Sequence, residues 1–321
     1  MARSFAVEST SFGMGTVITH RAFGKHAEES LKAVEREAAR LESMFSRFVP
    51  GSEISAINRS AGRSCEELSP ETFEVLSRAA EFSGVCHGLF DVTIGPLVDL
   101  WGIGAGASGP PEDSRIRRVL SLVNYTDLAL DPEERTAGLR RPGQSIDLGG
   151  IGKGYAGDRL AEVFRGHGVS SAFVNLGGNV VALGTKPDGS PWRIGIQHPR
   201  QDNGLIGLVS VEDKAVVTSG DYQRYFIDGC GNRWHHILDP STGYPAKAGL
   251  VGVTVVADSS MIADALSTML FVAGLRRGLE LIRGFDGAEA IFIDAGSSVC
   301  VTKGLKDRFL AAEGVRVDTI Q

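Results

Sequence analysis

The residues best suited to chemistry lie in a glycine-rich stretch at 145–156, which reads SIDLGGIGKGYA. The apolar residues before its glycines predict a short strand, and the spacing of Ala156, Leu160 and Phe164 predicts a helix after it. Glycines at such a turn let the backbone approach a ligand closely, and a helix start offers unpaired N–H groups to an anion. Lys153 adds a positive charge where a phosphate would lie. The stretch therefore predicts an anion site, or else a tight structural turn with a solvated lysine.

A second candidate site lies in an apolar helix predicted from Ser259 onwards. Asp264 and Thr268 are four residues apart, so they share one face of that helix. A carboxylate in such apolar surroundings needs a partner, and Mg²⁺ prefers oxygen ligands. The pattern is compatible with a magnesium site. It is also compatible with an Asp that accepts from a neighbouring backbone N–H and a Thr that is bonded to the preceding turn.

Two further segments hold polar residues that could contact a substrate. His235 and His236 end a predicted hairpin strand, in which alternation sends one side chain inward and the other outward. The inward imidazole is a general base, a substrate contact or a hydrogen-bonded core histidine. Asp91 lies in an apolar run at 88–102, where an unpaired acid is costly to bury. It is accordingly either a capped structural acid or a ligand contact.

The pattern of apolar residues along the chain predicts the elements that position these side chains. Helices are expected at 27–45, 69–84, 114–123, from 259 onwards and at 275–282, and a polar loop at 46–60. Strand pairs are expected at 5–23 and 171–184, and a hairpin at 224–240. This mixture of hairpins and scattered helices predicts an α+β fold. We expect one domain over 1–321 with a flexible connector at 102–113, and a division into two lobes at about 1–145 and 146–321 is the alternative.

Composition narrows the class of protein. The 321 residues carry a net charge of −6 and form no basic stripe, which argues against a nucleic-acid partner. The four cysteines are scattered and make no C-x-x-C pair, so neither a disulfide framework nor a zinc site is expected. No stretch approaches the ~20 apolar residues of a membrane span. The opening segment shows no signal peptide, so the expected location is cytoplasmic. A periplasmic or membrane-associated protein would follow if an export signal had been removed.

Eight stretches in this order resemble one family, the FAD:protein FMN transferases of the ApbE type. They are MGT at 14–16, RFVPGSEISAIN at 47–58, GLFDVTIGPLVDLWG at 88–102, DLGGIGKGYAGD at 147–158, VNLGGNV at 174–180, TSGDYQRYF at 218–226, HHILDPSTGYPA at 235–246 and ADALSTM at 263–269. Each stretch alone is weak evidence for the family, but the eight stretches together are spread over nearly the whole chain. The resemblance implies T-fold-like mixed and antiparallel sheets, with packed helices and an FAD cleft between them.

The same resemblance implies an activity. FAD would be cleaved at its pyrophosphate, the FMN half would pass to a threonine hydroxyl of an acceptor flavoprotein, and AMP would leave. The chain lacks an acceptor motif of its own, namely an Asp followed by small residues and T-[SA]-[ST], so a partner is expected to be modified. An Mg²⁺-dependent FAD pyrophosphatase and a non-catalytic FAD-binding protein are the alternatives.

Residue roles also follow from the resemblance alone. It implies Mg²⁺ ligation by Asp264, Thr268 and the carbonyl of Gly150. It implies nucleotide contacts by Asp147 and Lys153, and a place at the reacting phosphates for His236 and Leu238. His236 would take the threonine proton or orient the phosphate. The flavin cleft would use Met14, Phe48, Asn58, Leu89, Phe90 and Asp91.

Overall fold

The computed structural model describes residues 6–320. Its helices are α1 (Ala27–Phe45), α2 (Glu53–Ser60), α3 (Pro70–Val85), α4 (Gly95–Trp101), α5 (Asp113–Leu120), α6 (Gly152–Gly166) and α7 (Ser260–Ile282). Its strands are β1 (Ala6–Gly13), β2 (Thr16–Phe23), β3 (Glu66–Glu67), β4 (Leu128–Asp131), β5 (Thr136–Leu139), β6 (Ala172–Leu176), β7 (Asn179–Leu183), β8 (Trp192–Gln197), β9 (Leu205–Val211), β10 (Lys214–Gly220), β11 (Tyr225–Ile227), β12 (Arg233–His235), β13 (Leu250–Ala257), β14 (Glu289–Asp294), β15 (Val299–Thr302), β16 (Phe309–Ala311) and β17 (Val317–Ile320).

A nine-stranded sheet organises the molecule, in the order β1-β2-β6-β7-β10-β13-β14-β15-β17. Its pairs are antiparallel except β15 with β17. Helices α1, α6 and α7 pack on one face over the largest apolar core, which draws buried residues from Ile18 to Cys300. The sheet β16-β9-β8 covers the other face through a second core around Trp192 and Ile291. The predicted α+β class is confirmed, and the division into lobes stays a prediction.

Several predicted elements form because local signals and burial agree. Helix α1 buries Leu31, Val34 and Leu41 at helical spacing. Ser69 caps α3 by accepting from the Thr72 N–H, with Pro70 in the first turn, as serine and proline do at helix starts. None of the helices among residues 6–320 is long and apolar enough to cross a membrane.

The predicted polar loop at 46–60 is wrong in its second half, which forms α2. Ser52 caps this helix by accepting from the Ser55 N–H, and Ile54 and Ile57 are fully buried. Pro50 and Gly51 lie before the cap, so they end the preceding turn without interrupting the helix. The helix predicted at 275–282 is confirmed as the second part of α7, which Gly274 separates from the first part by a non-helical backbone conformation (φ 76°, ψ 173°).

The short strand predicted just before the glycine turn is also absent: residues 145–148 make one isolated bridge, between Ser145 and Ile94. The Asn58 side chain satisfies this segment instead. Its amide nitrogen donates to the Ile146 carbonyl at 3.1 Å, and its oxygen accepts from the Ile146 N–H at 2.6 Å. Together with the Asp147 N–H, which donates to the Val92 carbonyl at 2.8 Å, this side chain takes the place of a continuous neighbouring strand and fixes the entry to the turn.

Candidate functional site

A cavity of about 730 Å³ opens at the end of the large sheet. Its walls come mainly from seven places: the β1–β2 turn, the segment 89–94, the glycine turn at 147–153, the β6–β7 turn, the segments 218–224 and 236–240, and α7. The cavity therefore collects most of the polar stretches that the sequence singles out.

One polar corner of the cavity lies where α6 and α7 contact each other. The Gly154 N–H donates to Asp264 Oδ2 at 2.8 Å. A Cβ atom on Gly154 would lie 2.6 Å from Asp264 Cβ and 2.5 Å from the Ser260 carbonyl, so only glycine allows this approach. From α6, Asp158 accepts from the backbone N–H groups of Ser260 and Met261 and so holds the start of α7. The glycine-rich motif is thus a helix-packing device as well as a turn.

Lys153 places its ammonium group beside this corner. Its Nζ donates to the Gly149 carbonyl at 2.8 Å and lies 3.7 Å from Asp264 Oδ1. The second distance is too long for a good hydrogen bond, so Oδ1 keeps free acceptor capacity. Both side chains line the cavity.

Hydroxyl groups and one backbone segment complete the corner. Thr268 Oγ1 lies 3.2 Å from Ser219 Oγ, which is also 2.9 Å from Ser267 Oγ. A Cβ atom on Gly150 would lie 3.3 Å from Thr268 Oγ1, so the Gly150 backbone passes directly beside this hydroxyl. Gly150, Asp264 and Thr268 all line the cavity. The fold therefore brings together residues more than a hundred positions apart in the chain.

This corner suits a hard divalent cation. A carboxylate oxygen with spare capacity, a hydroxyl and a backbone segment provide the oxygen donors that Mg²⁺ takes, and Mg²⁺ commonly uses few protein ligands. Among residues 6–320, no group of three or more His, Cys, Asp or Glu side chains could hold a metal. A cation here would depend on the single carboxylate of Asp264, on uncharged oxygens and on the substrate.

The two adjacent histidines separate into different environments. His235 is buried, donates through Nε2 to the Ala246 carbonyl at 3.0 Å and packs edge-on against Phe271. His236 lines the cavity, and its Nδ1 lies 3.3 Å from the Arg224 carbonyl. Burial lowers the pKa of His236 to about 3, with a further contribution from the Arg224 charge. Because a carbonyl can only accept, Nδ1 carries the proton and Nε2 is left as the basic nitrogen.

Two of the acids that line the cavity are already engaged by the protein. Asp147 pairs through Oδ2 with Arg47 Nη1 at 3.0 Å and accepts from the Gly149 N–H through Oδ1 at 2.8 Å. Asp91 Oδ1 accepts from the backbone N–H and hydroxyl of Thr93, and its Oδ2 accepts from the Tyr125 N–H. Burial raises the pKa of Asp91. Of the two readings left open for Asp91, this geometry matches the capped structural acid.

The remaining predicted residues divide into two sets. Leu89, Phe90 and Leu238 line the cavity. Three others do not contribute to its walls: Met14 at the β1–β2 turn, Phe48, which is 79% exposed beneath the Arg47 guanidinium, and Asn58, which holds Ile146. Phe48 lies on the turn before α2.

Sequence reasoning missed polar residues near the end of β10 and in the segment that follows it. Thr218, Tyr222, Gln223 and Arg224 all line the cavity. Within residues 6–320, the buried Tyr222 hydroxyl has no hydrogen-bond partner, and the nearby Arg224 is exposed. The signal was present in the sequence, since the polar run at 218–224 directly follows an apolar strand.

Known proteins are similar to this chain in sequence and in fold. The sequence model of the ApbE family matches residues 14–292. The chain is 35% identical over 297 residues to an FAD:protein FMN transferase of Klebsiella pneumoniae, covering 92% of both chains. It is 32% identical over 313 residues to a protein of the same name from Treponema pallidum, covering 92% of this chain and 86% of the relative.

Solved structures agree with the sequence matches. The ApbE protein of Thermotoga maritima superposes with a TM-score of 0.87 at 32% identity, covering 95% of this chain and 99% of that one. The flavin transferase ApbE of Vibrio cholerae superposes with a TM-score of 0.85 at 28% identity, with the same coverage. With a family match over most of its length and relatives above 30% identity, the chain belongs to the ApbE family.

Proposed function

We propose that this protein is an FAD:protein FMN transferase that acts on a threonine of an acceptor flavoprotein. The observation that carries the proposal is the α6–α7 corner, where Asp264, Thr268 and Lys153 line one cavity with the Gly150 backbone. The names of relatives that match 92% of the chain supply the reaction class. The cavity supplies the ammonium group of Lys153, the carboxylate of Asp264 with one oxygen free to accept, and the neutral imidazole of His236. Phosphoryl transfer can use all three groups.

The proposed reaction is a displacement at phosphorus. The threonine oxygen attacks the phosphorus of the FMN half, the bond to the bridging oxygen of the pyrophosphate breaks, and AMP leaves with that oxygen. The threonine proton passes to His236 Nε2, or His236 orients the phosphate while solvent takes the proton. Because burial keeps His236 neutral near pH 7, its Nε2 lone pair is free for either role. The negative charge of a bound diphosphate would raise this pKa and strengthen the base.

Positive charge at the corner is the main contribution to stabilising the transition state. Lys153 would contact the diphosphate oxygens once they displace its hydrogen bond to Gly149. Asp264, Thr268 and the Gly150 carbonyl would hold Mg²⁺, which when bound neutralises charge on the phosphate oxygens. Leu89, Phe90 and Leu238 offer apolar surface to the flavin or adenine ring. Asp91 and Asp147 would shape the cleft by fixing its backbone.

The proposal is tested by incubating the protein with FAD, Mg²⁺ and an acceptor domain that carries an Asp, small residues and T-[SA]-[ST]. Mass spectrometry should show one FMN added to the acceptor, with AMP released in equal amount. Omitting Mg²⁺ or changing the acceptor threonine to alanine should abolish the label. AMP and free FMN without a labelled acceptor would identify a pyrophosphatase instead, and unchanged FAD would identify a non-catalytic carrier.

A further inference from the structure

Strand β1 forms one edge of the large sheet, and within residues 6–320 no strand pairs with its outer side. Natural sheets protect such edges with lysine, proline, bulges or short strands. Strand β1 has eight residues, AVESTSFG, with no lysine or proline, and its pairing with β2 continues without a register shift. Its one charged side chain, Glu8, lies 3.7 Å from Arg21 of β2. This edge is therefore long, regular and unprotected.

The backbone geometry shows which groups of the edge are free. Met14 and Gly15 form a two-residue turn with positive φ (52° and 71°), so Gly13 and Thr16 close the hairpin as a hydrogen-bonded pair. Alternation then makes Phe12–Val17 a pair without mutual hydrogen bonds. The Val17 carbonyl confirms that Val17 is not hydrogen-bonded to β1, because it accepts from the Gly177 N–H on the side away from β1.

The same alternation leaves the N–H and C=O groups of Glu8, Thr10 and Phe12 directed outward. Their side chains share the sheet face of Val17 and Thr19, two residues that line the cavity. Phe12 is 77% exposed and Val17 is 55% exposed, which is unusual for large apolar side chains that lie side by side. The edge thus offers backbone groups and an apolar contact, and it ends at the cavity mouth.

We infer that β1 is the docking edge for the acceptor protein, which adds an extended segment to it and so delivers its threonine to the cavity. This inference rests on the proposed transfer, because that reaction requires a segment of another polypeptide to enter the cavity. Backbone pairing at an exposed edge provides affinity, and alternate side chains of the added strand contact Phe12 and Val17. A segment aligned with β1 is led to the β1–β2 turn, where Gly15 and the first residue of β2, Thr16, line the cavity.

The decisive variant is Thr10→Pro, which removes an outward N–H and obstructs an added strand without removing a hydrogen bond to β2. Its matched control is Thr10→Val, which keeps the N–H and a branched side chain. We expect Thr10→Pro to raise the KM for the acceptor domain at least tenfold, while FAD binding and the unfolding midpoint stay at the control's values. An unchanged KM would overturn the inference. So would a change in oligomeric state without a change in KM, which would assign the edge to a second copy of the chain.

A second measurement does not depend on a variant that folds. Amide hydrogen exchange is followed in the unchanged protein with and without an acceptor whose threonine is changed to alanine, so that no turnover occurs. The amides of Glu8, Thr10 and Phe12 should become protected, while those of Ser9 and Ser11, already paired with β2, serve as internal controls. Unprotected edge amides at saturating acceptor would overturn the inference. Absence of FMN on the normal acceptor would count against the proposed transfer itself, and it is measured before any variant is compared.

Discussion

Two buried carboxylates, in the segment 89–94 and at the α6–α7 corner, differ in how completely the protein satisfies them. Asp91 is 7% exposed and Asp264 is 3% exposed. Asp91 accepts three hydrogen bonds over its two oxygens, all between 2.7 and 2.8 Å. Asp264 Oδ2 accepts one from Gly154, and Oδ1 has Lys153 at 3.7 Å.

The difference teaches that burial of an acid does not by itself mark a functional site. A buried carboxylate is stable when its lone pairs are matched by donors, and Asp91 meets that condition within its own neighbourhood. Asp264 has acceptor capacity left on the side that lines the cavity, which a cation can use. The comparison predicts that changes at Asp264 affect catalysis first and changes at Asp91 affect stability first.

The largest effect is expected for Asp264→Ala. Loss of a metal's charge stabilisation is worth several kcal/mol, so FMN transfer should fall by roughly 10³-fold or more and should no longer respond to Mg²⁺. The measurement is labelled acceptor per unit time across an Mg²⁺ titration. Asp264→Asn is the matched control for folding, since its amide oxygen can still accept from Gly154. A near-normal rate in Asp264→Ala would remove the metal role from this corner.

The next effect is expected for His236→Ala, where loss of a general base costs about 10²–10⁴-fold. FAD affinity, measured by fluorescence titration, should be retained, because the apolar wall and Lys153 are unchanged. His236→Gln separates the two roles: an orienting contact should be partly restored by its amide, and a base should not. A rate equal to that of the unchanged protein would exclude both roles.

A buried histidine away from the cavity extends the comparison, because it should make the free energy of unfolding depend on pH. His20 is fully buried on β2, and within residues 6–320 neither ring nitrogen has a hydrogen-bond partner. Burial lowers its pKa from 6.5 to about 4, opposed by the charge of nearby Glu35. Between these pH values the unfolded chain binds the extra proton, so the free energy of unfolding should fall as pH falls. The loss reaches about 3 kcal/mol from this residue near pH 4.

Urea unfolding between pH 4 and 7 measures that slope, and His20→Leu should flatten it by the same amount. Transfer measured at pH 7 should change little, since His20 does not line the cavity. An identical pH slope in the variant would show that His20 is not the group responsible. A buried histidine without a hydrogen-bond partner among residues 6–320 therefore affects stability, and it has no contact with the cavity through which it could affect the reaction.

The smallest effect is expected for Asp91→Asn. The amide group must turn its NH₂ toward a backbone N–H of Thr93 or Tyr125, leaving a buried donor without an acceptor. Such a mismatch costs about 1–3 kcal/mol, measurable as a lower unfolding midpoint in urea. If Asp91→Asn keeps full stability while Asp264→Asn loses it, the comparison between the two acids is reversed.

Elements with strong local signals were predictable. The apolar spacing at 27–45 and the Ser69-Pro70 start give the bounds of α1 and the start of α3 closely. The sequence does not predict α2, because Pro50 and Gly51 favour a loop over the whole segment. The strand before the glycine turn was mispredicted because its backbone is paired by Asn58, which is 88 residues away in the chain.

The sequence by itself determined the periodic helices, the hairpins, the glycine turn and the motifs that indicate the family. Those features depend on neighbours within a few residues, where propensity and spacing act directly. Only the tertiary structure decided that Asp91 is satisfied and Asp264 is not, that Asp147 is paired with Arg47, and that Tyr222 and Arg224 face the same cavity. Hydrogen-bond partners across a fold are set by how distant segments pack, and the spacing of residues along the chain does not predict them.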